Sequence, residues 1–226
     1  MFKIIMNELT QLADKYGTDK GTAFDGQHNY TSLYYELFSE KRADIHSLLE
    51  IGIFRGASVK MWRDFFFNAE VHCIDINPEF VSGVEGQQRI TAAICDQSSR
   101  TSISGYINSL RPAQFDIIID DGSHQMEHQQ ISFALFFPLL KSGGAYILED
   151  LSTSLNANYT TLAGGYEKSS LNMFKRYQQT KQWESSFMTS DELFYLNKYT
   201  QSSQIHEWEN PRTKEKKSIT SLTIKK

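Results

Sequence analysis

A chain of 226 residues is long enough for one large domain with a full core, and its 40% hydrophobic and 22% charged content is ordinary for a soluble globular protein. A formal charge of −4 and a pI near 5.9 supply no basic face and argue against a nucleic-acid partner. The apolar run in residues 1–9 is too short for a signal peptide, and residues 131–140, interrupted by Ser132 and Pro138, are too short to span a bilayer, so a soluble, cytoplasmic protein with no membrane partner is expected.

Residues 7–16 place Leu9, Leu12, Ala13 and Tyr16 at helical spacing and predict a first helix. Gly17-Thr18-Asp19-Lys20-Gly21 and residues 23–29 follow as a polar, glycine-bearing loop, ahead of an aromatic-dense helix over residues 30–38. Tyrosines in such a helix read first as packing. The loop, carrying Asp19, Lys20, His28 and Tyr30 ahead of a nucleotide-binding pattern, reads as a lid over a site. Residues 1–46 are thus expected to be a short helical N-terminal extension, and residues 47–226 the main domain.

Ser47-Leu48-Leu49-Glu50-Ile51-Gly52-Ile53-Phe54-Arg55-Gly56-Ala57-Ser58 reads as a strand, a tight turn and a helix over residues 57–66. Gly52 and Gly56 let backbone approach a ligand, and the helix start offers free amides to an anion. Phe54 stands where the second glycine of the dinucleotide fingerprint would be, and Glu50 suits a ligand with a cationic group better than a pyrophosphate. A second strand over residues 70–76 carries Asp75 near its tip, 23 residues after Gly52, where Rossmann-type proteins hold ribose hydroxyls. A third strand over residues 89–94 ends at Asp96-Gln97, groups suited to an adenine edge, and a helix over residues 100–110 follows. Cys73 and Cys95 lie in apolar runs and are expected to be buried free thiols.

Phe115-Asp116-Ile117-Ile118-Ile119-Asp120-Asp121-Gly122-Ser123-His124 reads as a buried parallel strand that delivers Asp120, Asp121 and His124 to the crevice at its carboxyl end. Residues 143–148 form a second such strand ending in Glu149-Asp150, so that if the two are neighbours the acids and the imidazole converge. The alternating strands and helices argue for an α/β, doubly wound, mostly parallel sheet. Residues 151–166 read as a long loop beside the site, followed by helices over residues 171–181 and 192–199, the latter capped by Ser190. Strand-like residues 203–208 and 218–224 flank Glu209-Asn210-Pro211-Arg212-Thr213-Lys214, a hairpin turn with solvated charges.

These motifs together, Tyr16-Gly17-Thr18-Asp19-Lys20-Gly21, Leu49-Glu50-Ile51-Gly52, Ile74-Asp75, Asp120-Asp121-Gly122-Ser123-His124 and Leu148-Glu149-Asp150-Leu151, resemble the class I S-adenosylmethionine-dependent methyltransferases. Within them the chain is similar to the metal-dependent macrolide sugar O-methyltransferases of the mycinamicin and tylosin type. The resemblance covers residues 12–153 and, more loosely, the terminal hairpin, which in that family supplies the antiparallel strand at the end of a Rossmann-like seven-stranded sheet. Some macrolide enzymes carry a sizeable N-terminal auxiliary domain, whereas fewer than fifty residues precede the first strand here, so a homo-oligomer is left open.

The resemblance implies S-adenosyl-L-methionine and Mg²⁺ as cofactors and a sugar-containing small molecule as acceptor: a glycosylated natural product, a nucleotide-sugar or a glycan precursor. Asp121, Glu149 and Asp150 are hard oxygen ligands suited to Mg²⁺, and His124 is the natural general base for a hydroxyl. By the same carry-over Glu50, Gly52, Ser58, Asp75 and Asp96 hold the methyl donor, with Asp120 near its methionine end. Adjacent strand-end residues point to opposite sides, so only one of Asp120 and Asp121 can face the metal. The alternatives are an Mg²⁺-dependent O-methyltransferase of a catechol or other diol, a nicotinamide-dependent oxidoreductase, and a catalytically silent binding protein.

Overall fold

The structure, a computed structural model, describes residues 6–23, 28–110, 114–209 and 217–226. Helix α1 (Glu8–Tyr16) starts where the Asn7 side chain accepts the Thr10 amide and stops where Gly17 turns left-handed, its N–H reaching the Ala13 carbonyl. Leu9 and Ala13 are fully buried, as their spacing predicts. Helix α2 (Tyr30–Phe38) sinks Tyr30, Tyr34 and Phe38 into the same core.

The remaining elements run β1 (Ser47–Ile51), α3 (Ala57–Phe65), β2 (Glu70–Asp75), α4 (Pro78–Ser82), β3 (Ile90–Ile94), α5 (Arg100–Ser109), β4 (Phe115–Asp120), α6 (Met126–Phe136), β5 (Leu140–Leu148), α7 (Ala157–Ala163), α8 (Ser170–Thr180), α9 (Ser190–Tyr199), β6 (Thr200–Glu209) and β7 (Lys217–Lys225). They build a seven-stranded sheet in the order β3-β2-β1-β4-β5-β7-β6, with β1 to β5 parallel and β6 and β7 antiparallel. This is the Rossmann-like sheet expected, with β7 seated between β5 and β6. The strand order reverses between β1 and β4, the switch point where open α/β sheets bind ligands. Register aligns the strand ends there: Ile51 pairs with Asp120 and Asp120 with Leu148, so Gly52, Asp121 and Glu149 emerge side by side.

Each strand alternates between two cores. On one side Leu48, Val71, Ile117, Ile119 and Ile147 pack with α1, α2 and α3. On the other, Leu49, Ile74, Ile118, Tyr146 and Leu148 pack with α5, α6, α8 and α9. That alternation continues into the strand ends and decides which acid points where.

Two expectations change, at residues 151–166 and at the cap of α9. Residues 151–166 are not a long loop: a 3-10 turn (Leu151–Leu155) leads into α7, which Asn156 caps and left-handed Gly164 ends. The apolar stretch at 131–140 is buried core, the end of α6 and the start of β5, and no helix among the described residues is long and apolar enough to cross a membrane. Thr189, not Ser190, caps α9, because its side chain and Glu192 form a reciprocal capping box. The hairpin turn expected after Glu209 falls at 210–216, outside the described residues. Cys73 and Cys95 are buried free thiols, as expected.

Gly52 has φ 97°, and a Cβ there would sit 2.2 Å from the Asp121 carbonyl oxygen. The Asp121 amide meanwhile donates to the Ile51 carbonyl at 2.9 Å, so the two strand ends cannot separate without losing that bond. Gly52→Ala should therefore destabilise the fold by at least the roughly 1–3 kcal/mol of a forced backbone conformation, read by urea unfolding.

Candidate active site

The site is assembled from the ends of β1, β4 and β5 and from the segment between α1 and α2. Residues 17–23 of that segment form a built loop. Asp14 on α1 accepts the amides of Thr22 and Ala23 and the Thr22 hydroxyl, and Gly21 lies so close that a Cβ would stand 2.3 Å from the Asp14 carboxylate. Thr18 Oγ1 accepts the Lys20 amide, and the Lys20 carbonyl accepts the Thr31 amide at the start of α2. The Gly-Thr-Asp-Lys-Gly run thus holds Lys20 inward, and its side chain is 1% exposed.

The Lys20 ammonium lies among three acids. It donates to Asp121 Oδ2 and, at 2.5 Å, to Glu149 Oε2, with Glu50 Oε1 at 3.9 Å. Burial alone would lower the Lys20 pKa, but Asp121, Glu149 and Glu50 together hold it well above its ordinary value. For the buried acids the balance runs the other way. Burial raises Glu149 well above its ordinary value against the pull of Lys20, and raises Glu50 to about 7. Glu50 is satisfied from within, accepting Ser58 Oγ and Trp62 Nε1 at 3.0 Å each. The cationic group suited to Glu50 is thus supplied, in this structure, by Lys20.

Glu149 is equally committed, because Tyr34 donates to its other oxygen at 2.6 Å. Asp150 turns away from it. Its backbone is left-handed at φ 54°, and its Oδ1 accepts the Tyr30 hydroxyl at 2.7 Å, with His28 Nδ1 at 3.5 Å. Its Oδ2 lies 3.6 Å from His124 Nε2, which is 4.0 Å from Asp121 Oδ1. The three side chains of Asp121, His124 and Asp150 offer ligand atoms all within 4.8 Å of one another. Of the expected ligands Asp121, Glu149 and Asp150, the structure therefore groups the first and last with His124 and sets Glu149 behind them, on Lys20 and Tyr34.

Asp120 goes to the other side of the sheet. Gln97 Nε2 donates to both of its oxygens at 2.7 and 2.9 Å, Tyr146 donates at 3.2 Å, and burial raises its pKa to about 7. Gln97 Oε1 accepts the Ser123 amide, so Gln97, expected at an adenine edge, is spent clamping the strand-end loop. Asp75 accepts the amides of Ile53, Phe54 and Asn77, which makes it the anion bound by the glycine turn. Gly56 caps α3 at φ 73° against Val84, and Asp96 accepts the Ser98 amide and hydroxyl.

A family model described as a methyltransferase domain matches residues 49–151. Residues 49–151 form a methyltransferase domain. The demethylmacrocin O-methyltransferase of Streptomyces fradiae is 36% identical over 154 residues, 65% of this chain and 37% of that protein. The 8-demethyl-8-alpha-L-rhamnosyl tetracenomycin-C 2'-O-methyltransferase of Streptomyces olivaceus is 32% identical over 178 residues, 74% of this chain and 44% of that protein. Among solved structures, the mycinamycin-pathway methyltransferase MycE in complex with Mg and SAH superposes with a TM-score of 0.74 at 26% identity, over 97% of this chain and 55% of that one. The chain thus spans less than half the length of these curated relatives.

Within the methyltransferase domain, the sequence reading did not foresee the exposure of three apolar side chains. Phe54, Ile76 and Ile94 are 64%, 64% and 62% exposed, at the carboxyl ends of β1, β2 and β3 beside Asp75 and Asp96. Apolar exposure next to acids is the lining a nucleoside needs. Tyr34 was also missed as a site residue. Its signal is its place four residues after Tyr30, one helical turn along the face that meets the acids.

A raised carboxyl pKa binds its proton more tightly in the fold than in the unfolded chain. For Glu50 that stability is fully present below its ordinary value of 4.5 and is lost as pH rises through about 7. Wild type should therefore lose stability relative to Glu50→Gln between about pH 5 and pH 7 and hold a constant difference above about pH 8, measured by thermal melts across that range.

Proposed function

We propose that this chain transfers a methyl group from S-adenosylmethionine to a hydroxyl of a sugar on a small molecule, assisted by Mg²⁺ and with His124 as general base. The observation that carries the reading is the Asp121–His124–Asp150 cluster, set beside the Gly52 turn in a methyltransferase domain. Named relatives methylate sugars: the tetracenomycin enzyme acts on a rhamnosyl group, and MycE was solved with Mg, SAH and mycinamycin VI.

The residues fit both cofactors. Two carboxylates backed by Tyr30 and Lys20 are hard oxygen donors for Mg²⁺, which prefers oxygen to imidazole, so Asp121 and Asp150 hold the ion and His124 is left to the proton. Glu149 supports them through Lys20 and is the reserve third carboxylate. Phe54, Ile76 and Ile94 wall the nucleoside, with Asp75 and Asp96 at its hydroxyl and base edges. When bound, the two cofactors supply an electrophilic methyl on a sulfonium and a Lewis acid that acidifies the hydroxyl.

In this reading the acceptor oxygen forms a bond to the methyl carbon as the carbon–sulfur bond breaks, and His124 Nε2 takes the hydroxyl proton. Asp150 Oδ2 and Asp121 Oδ1 lie 3.6 and 4.0 Å from Nε2, so the ring that takes the proton stands beside the carboxylates that would hold the ion and its hydroxyl. The left-handed backbone of His124, φ 56°, aims the ring back over the strand ends.

Incubation with S-adenosylmethionine and a panel of sugar-bearing acceptors, read by mass spectrometry, should give a singly methylated sugar, and excess chelator should abolish it while cofactor binding survives. Full turnover in chelator would remove the metal from the reading. His124→Ala should lower the transfer rate by about 10²–10⁴ with calorimetric S-adenosylmethionine binding retained. Near-wild-type turnover by that variant would assign the proton to another group.

A further inference from the structure

Lys20 backs the carboxylates of the proposed site without taking part in the proton or methyl transfer. Its ammonium carries no contact to His124 or Asp150, yet its side chain is 1% exposed and Glu50, Asp121 and Glu149 all lie within 3.9 Å of it. Asp121 is shared: Oδ2 accepts from Lys20, while Oδ1 faces His124. Glu149 gives Oε2 to Lys20 and Oε1 to Tyr34, and it stands outside the group formed by Asp121, His124 and Asp150. Two cation positions therefore lie side by side, divided by the Asp121 carboxylate. One is filled by the chain itself.

We infer that Lys20 is a positioning residue that acts as the resident counter-cation of this cluster. It reserves Glu149 and one oxygen of Asp121, leaving Asp121 Oδ1 and Asp150 Oδ2 to a divalent ion, and it keeps that ion weakly held and exchangeable. The inference rests on the divalent-ion reading above and deepens it, by assigning the affinity of the site to a side chain from outside the methyltransferase domain. Its physical basis is charge. Glu50, Asp121, Glu149 and Asp150 bring up to four negative charges to one small volume, and a fixed positive charge a few ångströms from an incoming divalent ion repels it in a poorly screened interior. The loop that delivers Lys20 is braced by Asp14, Gly21 and Thr18, which is the construction of a part that must stay in place.

A merely structural lysine and a resident counter-cation predict opposite signs for one measurement. If Lys20 only holds the site together, its loss loosens the acids and weakens ion binding. If it competes for their charge, its loss frees Glu149 and strengthens ion binding. Titration of Mn²⁺ into the full chain by calorimetry, without methyl donor or acceptor, should show Lys20→Met binding the ion at least about tenfold more tightly than wild type, with slower ion release. Mn²⁺ should also raise the melting temperature of Lys20→Met by more than that of wild type.

Because Lys20→Met leaves buried acids without their cation, the double variant Lys20→Met, Glu50→Gln, which also removes one of those acids, provides a second test. It too should bind Mn²⁺ more tightly than wild type. Equal or weaker affinity in the folded variants would overturn the inference. Failure of wild type itself to bind Mn²⁺ or Mg²⁺ would instead overturn the divalent-ion reading on which it rests.

Discussion

The interaction on which the site depends is the buried ammonium of Lys20 held between Asp121 and Glu149. Register brings Asp121 and Glu149 level at the ends of β4 and β5 with Glu50 two residues deeper on β1, and burial penalises Glu50 and Glu149 as charges. An isolated set of such carboxylates would protonate or drive the strand ends apart. One cation at their centre offsets part of that repulsion, and Tyr34, Trp62 and Ser58 satisfy the remaining oxygens. The tyrosine hydroxyls serve reliably as donors because burial, with Glu149 and Asp150 nearby, raises their pKa well above the ordinary value. Each partner is costly alone and satisfied only in the set.

The second determinant is the two-residue period of the strands. Asp120 and Asp121 are neighbours in sequence and opposites in space, one clamped by Gln97 and Tyr146, the other on Lys20. Glu149 follows Ile147 to the Lys20 side. Asp150 would follow Leu148 to the far side, but its left-handed backbone turns it back toward His124. Among the described residues six non-glycine positions have positive φ, and Asn29, Phe54, His124 and Asp150 are at or beside the site. Strain gathered there is the usual mark of a geometry imposed by function.

Much of this was legible in sequence. Apolar runs closed by acids gave the parallel strands, and the aligned ends of β1, β4 and β5 brought together Asp121, His124 and Asp150, as the motifs suggested. What periodicity does not carry is partner choice. Nothing local to Glu50 or Gln97 announces that Trp62 or Asp120 will consume it, since those pairings arise from packing across elements. The α7 helix was obscured by its Thr and Asn content, which reads as loop until the caps at Asn156 and Gly164 are seen as a pair. Buried α6 lacked a polar stripe and so gave no helical period.

The sequence suggests an appendage before residue 47, and the packing argues for more. Tyr30, Tyr34 and Phe38 share one core with Leu48, Val59 and Trp62, and Tyr34 meets the Trp62 ring edge-on at 5.5 Å. Lys20, Tyr30 and Tyr34 donate to three acids of the sheet, from as far as 129 positions away. At the other end, the Trp208 indole of β6 donates to the His28 carbonyl, closing the same segment from the C-terminal hairpin. The segment is thus held at two ends and supplies donors in the middle, while the methyltransferase domain supplies acceptors. Acceptor oxygens gathered at strand ends attract any cation or proton, and a separate element that brings donors in fixed positions is what makes two adjacent oxygens of one Asp121 carboxylate behave differently.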